Sequence, residues 1–421
     1  MSDPAFAKLK RLKINKYRSI KPGTELRFAD GINVLLGKNG SGKTTLLNLL
    51  AMVVSGNFYP IRREEFSLEY EFGLADNSAR FIVKIQNISV ETENIPNFKL
   101  ESHSCSFDIS YFWSIGVDSF ERQVNATQSA KTELTIRYNQ STPTHEILSN
   151  ELGPLSERGI NFHATMAIFS NVSQSPLKAE IITPLFRFDE ARDSLRELTS
   201  SSIRLIVSTD IRGPGDVSAM KHPQDIISGL AEAFSKEPDS AAFVLSSQNI
   251  QSIAQITAKL GYALSQVIFE PKAKEGIFLT FEPPRFRFRK TDGTMVRLED
   301  LSFGEQRLFA YYYYLACSPQ MLIADELSNG MHHEMVRGCI EAIGPRQAFL
   351  ATQNPLLLDY LEFASLDAVR ESFVLCSREP GEDREWMTMR QMSDDEGREF
   401  FGHYQAERSH VNEILRSLGL W

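Results

Sequence analysis

Residues 37–44 read Gly-Lys-Asn-Gly-Ser-Gly-Lys-Thr and satisfy the pattern G-x-x-x-x-G-K-[ST] in full. Glycines at 37, 40 and 42 let the backbone turn its N–H groups inward without side-chain clashes. With a helix N-terminus behind them, those N–H groups make a nest for the β- and γ-phosphates of a nucleotide. Lys43 adds a point charge, and the Thr44 hydroxyl is placed to coordinate Mg2+. The candidate phosphate-binding set is Gly37, Asn39, Gly40, Ser41, Gly42, Lys43, Thr44 and Thr45.

Two further groups stand far downstream. Residues 301–306 read Leu-Ser-Phe-Gly-Glu-Gln. Ser302 and Glu305 have the spacing of a capping box, which starts a helix in any protein. A serine hydroxyl and a glycine at a helix N-terminus also form an anion receptor, so both readings stand on these residues alone. Residues 321–326 read Met-Leu-Ile-Ala-Asp-Glu, a buried strand with two carboxylates at its end. Adjacent acids there repel each other and lose hydration, so they need a cation or a polar ligand to stay charged. With a bound magnesium nucleotide, Asp325 would hold Mg2+, directly or through water. Glu326 would orient and deprotonate the attacking water, a role worth about 10²–10⁴ in rate. Taken by itself the pair is explained equally well by a solvated acidic turn. Residues 348–355, Ala-Phe-Leu-Ala-Thr-Gln-Asn-Pro, form another apolar strand ending in polar residues, among them Gln353.

The elements that must position these groups follow from periodicity. Residues 9–15 and 25–29 alternate like strands, and 32–36 form a short apolar run. A helix runs from Lys43 to about Val54 and stops at Gly56. Strand, loop and helix are the context a phosphate loop requires. Residues 66–74 and 80–90 read as strands joined by a turn at 75–78, with further strands at 104–113 and 132–138. Residues 140–200 carry weak signals and one helix at 189–198. A strand at 203–208 precedes a break at Gly213-Pro214-Gly215. Helices are expected at 223–235 and 247–268, the second with Ile250, Ile253, Ile256, Leu260, Leu264 and Val267 on one stripe. A strand pair at 276–282 and 285–289 leads to a turn at Asp292-Gly293, and a helix at 394–418 closes the sequence.

Composition sets the class. The 421 residues are 42% hydrophobic, enough for a large core, and the net charge of −9 gives no general attraction for polyanions. Cys105, Cys317, Cys339 and Cys376 are far apart, which excludes a C-x-x-C zinc site and favours reduced thiols. The first twenty residues lack a secretory core, and no stretch approaches the roughly 20 apolar residues that span a bilayer. A cytoplasmic protein without a membrane partner is expected. No repeat or sustained heptad run supports a long coiled coil.

The order of these motifs resembles the ABC ATPase superfamily: phosphate loop, long insert, LSFGEQ, MLIADE, then a strand ending Thr-Gln-Asn-Pro. The closer resemblance is to its non-transporter branch of SMC proteins, zinc-hook break-repair ATPases, RecF and OLD ATPases. Residues 14–20, Ile-Asn-Lys-Tyr-Arg-Ser-Ile, look like that branch's first strand. The motifs cover 9–55 and 295–360, and the middle is not covered. The resemblance implies ATP and Mg2+ as ligands, Thr44 and Asp325 as magnesium ligands, and Glu326 and Gln353 as the catalytic pair. It implies a head-to-head homodimer in which the signature residues Ser302, Phe303, Gly304 and Glu305 of one copy meet the nucleotide held by the other, with Ser302 and Gly304 capping its γ-phosphate. Asn329 and Gly330 match the D-loop, and Arg18 falls near the nucleotide.

Three departures qualify the match. Phe303 replaces the glycine usual in transporters, which fits the non-transporter branch. Gln353 replaces the usual histidine; it can hydrogen-bond but cannot carry a proton, which points to slow hydrolysis. The Q-loop has only Gln86 as a candidate. The tail, with residues 410–415 and Gly419-Leu420-Trp421, resembles ATPase subunits of anti-phage systems such as Septu and PARIS, which pair with a separate nuclease or toxin.

The expected fold is an α/β P-loop ABC-ATPase head with a mixed central sheet, an N-terminal antiparallel β-subdomain, a compact helical insert and no long coiled coil. Its expected segments are an ATPase lobe at 1–140, an insert at 141–275, a second lobe at 276–375 and a helical tail at 376–421. The expected function is an ATP-dependent dimer that regulates a separate effector in phage defence. The alternatives are a RecF-like ATPase acting on DNA and the detached motor of a transporter.

Other features allow more than one reading. Tyr311 to Tyr314 surround most of a helix, so core packing plus a dimer interface is expected, with base stacking the alternative. In residues 285–290 the arginines share one strand face and the phenylalanines the other, a solvated face or an anion-binding one. The adjacent His332 and His333 cannot both serve one helical metal face. Phe400, Phe401, Tyr404, Val411, Ile414 and Leu415 form an apolar stripe on the last helix, and Trp421 could anchor a partner or a second copy.

Overall fold

The computed structural model describes residues 8–55, 58, 61, 64–73, 79–87, 105–115, 118–128, 187–188, 204–206, 222–275, 278–317, 321–406 and 410–421. The chain divides into two units. The first comprises Met1–Ile182, Pro345–Gln353 and Leu361–Trp421, and the second Thr183–Gly344 and Asn354–Tyr360.

The first unit opens with β1 (Lys8–Tyr17), β2 (Thr24–Arg27), β3 (Ile32–Leu36), α1 (Lys43–Ser55), β4 (Phe66–Gly73), β5 (Ala79–Asn87), β6 (Cys105–Ile115) and β7 (Asp118–Gln128). Its later strands are β17 (Gln347–Ala351), β18 (Phe373–Pro380) and β19 (Glu385–Gln391), and its later helices are α7 (Leu366–Ser372), α8 (Asp394–Gln405) and α9 (Val411–Ser417). An antiparallel sheet runs β2-β1-β4-β5-β6-β7. Alternation drives it: Phe66, Leu68, Tyr70 and Phe72 of β4 are all buried. A second sheet places β3 parallel to both β17 and β18, with β19 antiparallel on the outside. This is the mixed sheet that the motif order implied. Every residue of β17 is buried, and β3 is buried from Asn33 onward, as strands covered on both faces must be. Gln347 joins the two sheets: its side chain accepts from Leu9 N at 2.8 Å and donates back to Leu9 O at 2.9 Å.

The second unit holds β8 (Arg187–Phe188) parallel to β16 (Met321–Asp325). A three-stranded sheet joins β9 (Arg204–Ile206), β13 (Phe278–Phe281) and β12 (Pro271–Glu275). A four-stranded sheet runs β10 (Phe243–Ser246), β11 (Leu264–Phe269), β14 (Arg285–Arg289), β15 (Met295–Arg297). Its helices are α2 (Gln224–Lys236), α3 (Gln251–Leu260), α4 (Phe303–Cys317), α5 (His333–Ile343) and α6 (Pro355–Leu358). In β14 the arginines are exposed and the phenylalanines buried, as alternation predicts. Phe286 and Phe288 pack on Phe309 of α4 at 4.8 and 5.8 Å between ring centroids.

Four expectations are corrected. The helix expected over 247–268 is only Gln251–Leu260. Gly261 ends it in a left-handed cap at φ 75°, its N–H returning to Thr257 and Ala258, and Leu264 and Val267 belong to β11. The strands near 276–282 and 285–289 do not pair with each other: β13 pairs with β12 and β9, while β14 pairs with β11 and β15. Two prolines, Pro283 and Pro284, separate them into different sheets. The helix at 394–418 is two helices, with His410 capping the second. Tyr311 to Tyr314 present no outward surface, because all four are buried within one copy. The hydroxyls of Tyr311 and Tyr312 donate to the carbonyls of Cys339 and Gly338, while Tyr313 meets His222 Nδ1 at 2.7 Å.

The strand expected at 132–138, the helix at 189–198, the turn at 75–78, the break at 213–215 and Gly56 lie outside the described residues. Among the described residues no helix is long and apolar enough to cross a membrane.

Candidate nucleotide site

β3 runs apolar to Leu36 and delivers the chain directly into the glycine loop, and α1 begins at Lys43. The loop is shaped by what surrounds it. A Cβ at Gly37 would lie 2.2 Å from the Cys376 carbonyl oxygen, so only glycine fits there. Lys43 is buried, and its partners among the described residues are two loop carbonyls, Gly37 O at 2.7 Å and Lys38 O at 3.1 Å. An ammonium buried without a carboxylate is costly unless an anion joins it. The Ser41 hydroxyl is buried and has no hydrogen-bond partner among the described residues. These residues fit a triphosphate: a buried cation, a hydroxyl without a partner among the described residues, and glycines whose backs are pressed against the hairpin behind the loop. Thr44 is exposed beside them, where Mg2+ could reach its hydroxyl. Gln353 is exposed just after β17, and Gln86 is exposed on β5.

Arg18 ends β1 in the left-handed region at φ 48°. Its guanidinium makes two 2.7 Å bonds to Glu64, and this hydrogen bonding holds the Glu64 carboxyl below its ordinary pKa. The following turn is tied to β19, with Lys21 N donating to Met387 O at 2.9 Å and Met387 N to Ser19 O at 2.8 Å. Met387 is also the residue a Cβ at Gly42 would strike, at 2.5 Å from its sulfur. Arg18 is therefore linked to the phosphate loop through one methionine.

The acidic and signature residues lie in the second unit. Asp325 and Glu326 are both buried at the end of β16. Glu326 is left-handed at φ 51°, a conformation that costs a non-glycine residue about 1–3 kcal/mol. Arg307 of α4, almost wholly buried, holds it by donating to Glu326 O at 2.7 Å. Ser302 caps α4 as its spacing predicts: its N–H donates to Glu305 Oε2 at 2.9 Å, and Glu305 N returns to Ser302 Oγ at 3.3 Å. Tyr262 also donates to Glu305, at 2.8 Å. Burial opposes ionisation of Glu305, but the bonds from Ser302 and Tyr262 outweigh it and its pKa lies below the ordinary value. Phe303 is 51% exposed, and its ring lies where a Cβ at Gly330 would stand, 2.2 Å from Cε1. The signature and the Asn329–Gly330 turn are thus one surface.

A family model described as an AAA domain matches residues 11–236, more than half of the 421 residues. The chain belongs to this AAA domain family. A second AAA domain model, whose description also names the AbiEii toxin and a type IV toxin–antitoxin system, matches residues 181–359. No curated protein matches the chain. Similar solved structures include the SMC head domain from Thermotoga maritima, at 11% identity and a TM-score of 0.37, covering 92% of this chain and 99% of that one. The Smc head domain with an extended coiled coil from Pyrococcus furiosus is 11% identical with a TM-score of 0.43, covering 95% and 100%. The recombination mediator protein RecF is 10% identical with a TM-score of 0.32, covering 93% and 99%.

The AAA domain has the α/β P-loop ATPase fold with a mixed sheet. Several of its site-forming residues carry no sequence signal. Arg307 is one of ten buried positions on α4 and nothing in the motif marks it. Ser328, whose buried hydroxyl lacks a partner among the described residues, sits in the turn beside Asn329. The Cys376, Met387 and Met389 contacts behind the loop come from strands more than 300 residues downstream. Arg18 and Glu326 are the two non-glycine residues with positive φ among the described residues. Both were singled out from the motifs, and backbone strain of this kind gathers at working sites.

Proposed function

We propose that this AAA domain binds and hydrolyses Mg2+-ATP, and that ATP closes two copies head to head. The observation that carries this reading is the buried Lys43 ammonium, whose partners among the described residues are loop carbonyls, beside a Ser41 hydroxyl that has no partner among them. Gly37, Asn39, Gly40, Ser41, Gly42, Lys43, Thr44 and Thr45 grip the phosphates. Thr44 and Asp325 hold Mg2+, which neutralises charge on the phosphate oxygens. Glu326 orients and deprotonates the water, and Gln353 positions it. Ser302, Phe303, Gly304 and Glu305 of the second copy complete the site, with Asn329 and Gly330 alongside. Because Gln353 cannot shuttle a proton, turnover is slow and the dimer serves as an ATP-held clamp.

The clamp regulates a separate effector, a nuclease or toxin, in anti-phage defence. The resemblance of the tail, residues 410–415 and 419–421, to anti-phage ATPase subunits and the toxin–antitoxin wording of the second family description support this finer step. The deciding experiment measures the mass of the Glu326→Gln protein with and without Mg2+-ATP. A nucleotide-dependent dimer with turnover abolished is expected. Unchanged turnover in that variant, or full turnover in a strictly monomeric preparation, would remove the reading.

One observation favours a RecF-like action on DNA instead. Arg285, Arg287 and Arg289 line the outer face of β14, and Arg287 stands directly opposite Arg297 of β15. Arg297 is paired with Asp300 and Glu299, and Arg285 with Glu270, so Arg287 and Arg289 carry what attraction this face has for a phosphate backbone. Salt-dependent duplex binding by the ATP-bound form is the discriminating measurement.

A further inference from the structure

The phosphate loop is backed by the β18–β19 hairpin at each of its three glycines. A Cβ at Gly37 would strike the Cys376 carbonyl, one at Gly42 would lie 2.5 Å from Met387 Sδ, and one at Gly40 would stand 3.8 Å from Arg378 Nη2. The first two contacts are steric walls. The third is a polar tether: Arg378 Nε donates to the Gly40 carbonyl at 2.6 Å. Across the hairpin, the Arg378 guanidinium pairs with Glu385. Two strands of one hairpin thus hold one guanidinium against the loop's apex.

We propose that Arg378 is a positioning residue for the nucleotide, fixing the 40–41 peptide so that the loop's N–H faces the phosphates. The inference rests on the ATP reading of this loop. In a trans peptide the carbonyl of one residue and the N–H of the next point in opposite directions. Drawing the Gly40 carbonyl toward Arg378 turns the Ser41 N–H the other way. That N–H meets the Lys38 carbonyl at 3.2 Å, the same oxygen that Lys43 Nζ reaches at 3.1 Å. Arg378 therefore fixes the Ser41 N–H on the Lys43 side of the loop, where a phosphate would replace the Lys38 carbonyl as its acceptor, without touching the ligand itself. Gly40 needs this help because its φ of 76° belongs to a residue with wide backbone freedom. A loop apex left to itself would sample other peptide orientations. Arg378 is partly exposed and its charge is already paired with Glu385, so its contribution is orientation rather than long-range attraction.

The test titrates a fluorescent ATP analogue with Mg2+ into the full-length protein and its R378A, R378K, E385Q and K43A variants. Thermal melting is followed in parallel without nucleotide. R378A is expected to weaken binding roughly tenfold, the equivalent of one hydrogen bond from a charged donor. R378K, which keeps one donor, is expected to fall between R378A and wild type. E385Q, which frees the guanidinium but leaves its bond to Gly40, is expected to weaken binding about two- to threefold. Melting without nucleotide should stay close to wild type in all three. R378A binding within twofold of wild type overturns the proposal. So does a loss of affinity that tracks a fall in melting temperature and is not recovered by R378K. If wild type itself binds no ATP, the reading of the loop falls and this inference with it. If wild type binds, K43A does not and R378A matches wild type, the loop reading stands and only Arg378 loses its role.

Discussion

The phosphate-loop half and the signature half of this AAA domain are built by opposite means. Around Gly37–Thr44 the backbone does the work: two of the glycines are pressed against a carbonyl and two methionines. Around Ser302–Glu305 and Asp325–Gly330 side chains do the work. A serine–glutamate box caps the helix, an arginine holds the strained Glu326, and a phenylalanine ring rests on Gly330. The first half is a preformed receptor with a cation waiting in it. The second presents an exposed hydroxyl and an exposed ring held stiffly from behind. A receptor and a rigid presenter are what a ligand shared between two copies would need.

The largest expected effect separates the two halves by function. Lys43→Ala should lower ATP affinity by at least about a hundredfold, because the loss removes a charge-assisted contact from a buried site. Ser302→Ala should leave the ATP affinity of the monomer within about twofold, yet remove the nucleotide-dependent dimer and its turnover. Binding by calorimetry and mass by light scattering distinguish the two outcomes. If both variants lost ATP binding equally, the division of labour would be wrong.

The next effect concerns how each half tolerates added volume. Gly37→Ala would force a methyl within 2.2 Å of a backbone carbonyl, and the hairpin must move to admit it. Overpacking of this kind costs about 1–3 kcal/mol and should appear in urea unfolding as a lowered midpoint. At Gly304 the nearest atom is 3.1 Å away, the Gly330 carbonyl, and the next is the flexible Met335 side chain at 3.5 Å. Gly304→Ala should cost distinctly less. An equal loss at both glycines would show that the loop is no more tightly shaped than the signature.

These halves were not equally legible in the sequence. The strand, glycine loop and helix at 32–55 are local, so periodicity and the motif placed the strand's end at Leu36 and the helix start at Lys43. The Ser302–Glu305 cap was legible for the same reason: its partners are three residues apart. The hairpin that shapes the loop was not, because Cys376, Arg378, Met387 and Met389 reach it across more than 300 residues and carry no motif. The helix expected over 247–268 failed because apolar residues at helical spacing in 264–269 also fit a strand buried on both faces, and Gly261 decides between them. The tyrosine run misled for another reason. A helix whose whole circumference is apolar is a buried helix, and the hydroxyls of Tyr311, Tyr312 and Tyr313 all find partners inside the fold.

The smallest effect uses a device that recurs among the described residues. Ser393 and Glu396 form another capping box, at the start of α8, with the same spacing as Ser302 and Glu305. Hydrogen bonds from Arg390 hold the Glu396 carboxyl down, against the effect of burial and with help from Ser393, to a pKa of about 2. A carboxyl whose pKa is lower in the folded state stabilises the fold above its unfolded value, and that stability is lost as pH falls toward the folded one. Glu396→Gln should therefore lower the melting temperature at pH 6 by a small amount, about 0.5–1 kcal/mol of stability. The gap from wild type should close between about pH 4.5 and 2. Glu305→Gln should show the same sign of pH dependence, since its pKa is also depressed. The two boxes differ in what else they hold. Glu396 ties a helix to Arg390 of the neighbouring strand, so its loss should leave ATP turnover intact. Glu305 fixes the serine that would face another copy's nucleotide, so its loss should reduce turnover at pH 7 out of proportion to the stability removed. Equal turnover in the two variants would mean that the signature cap is only a cap.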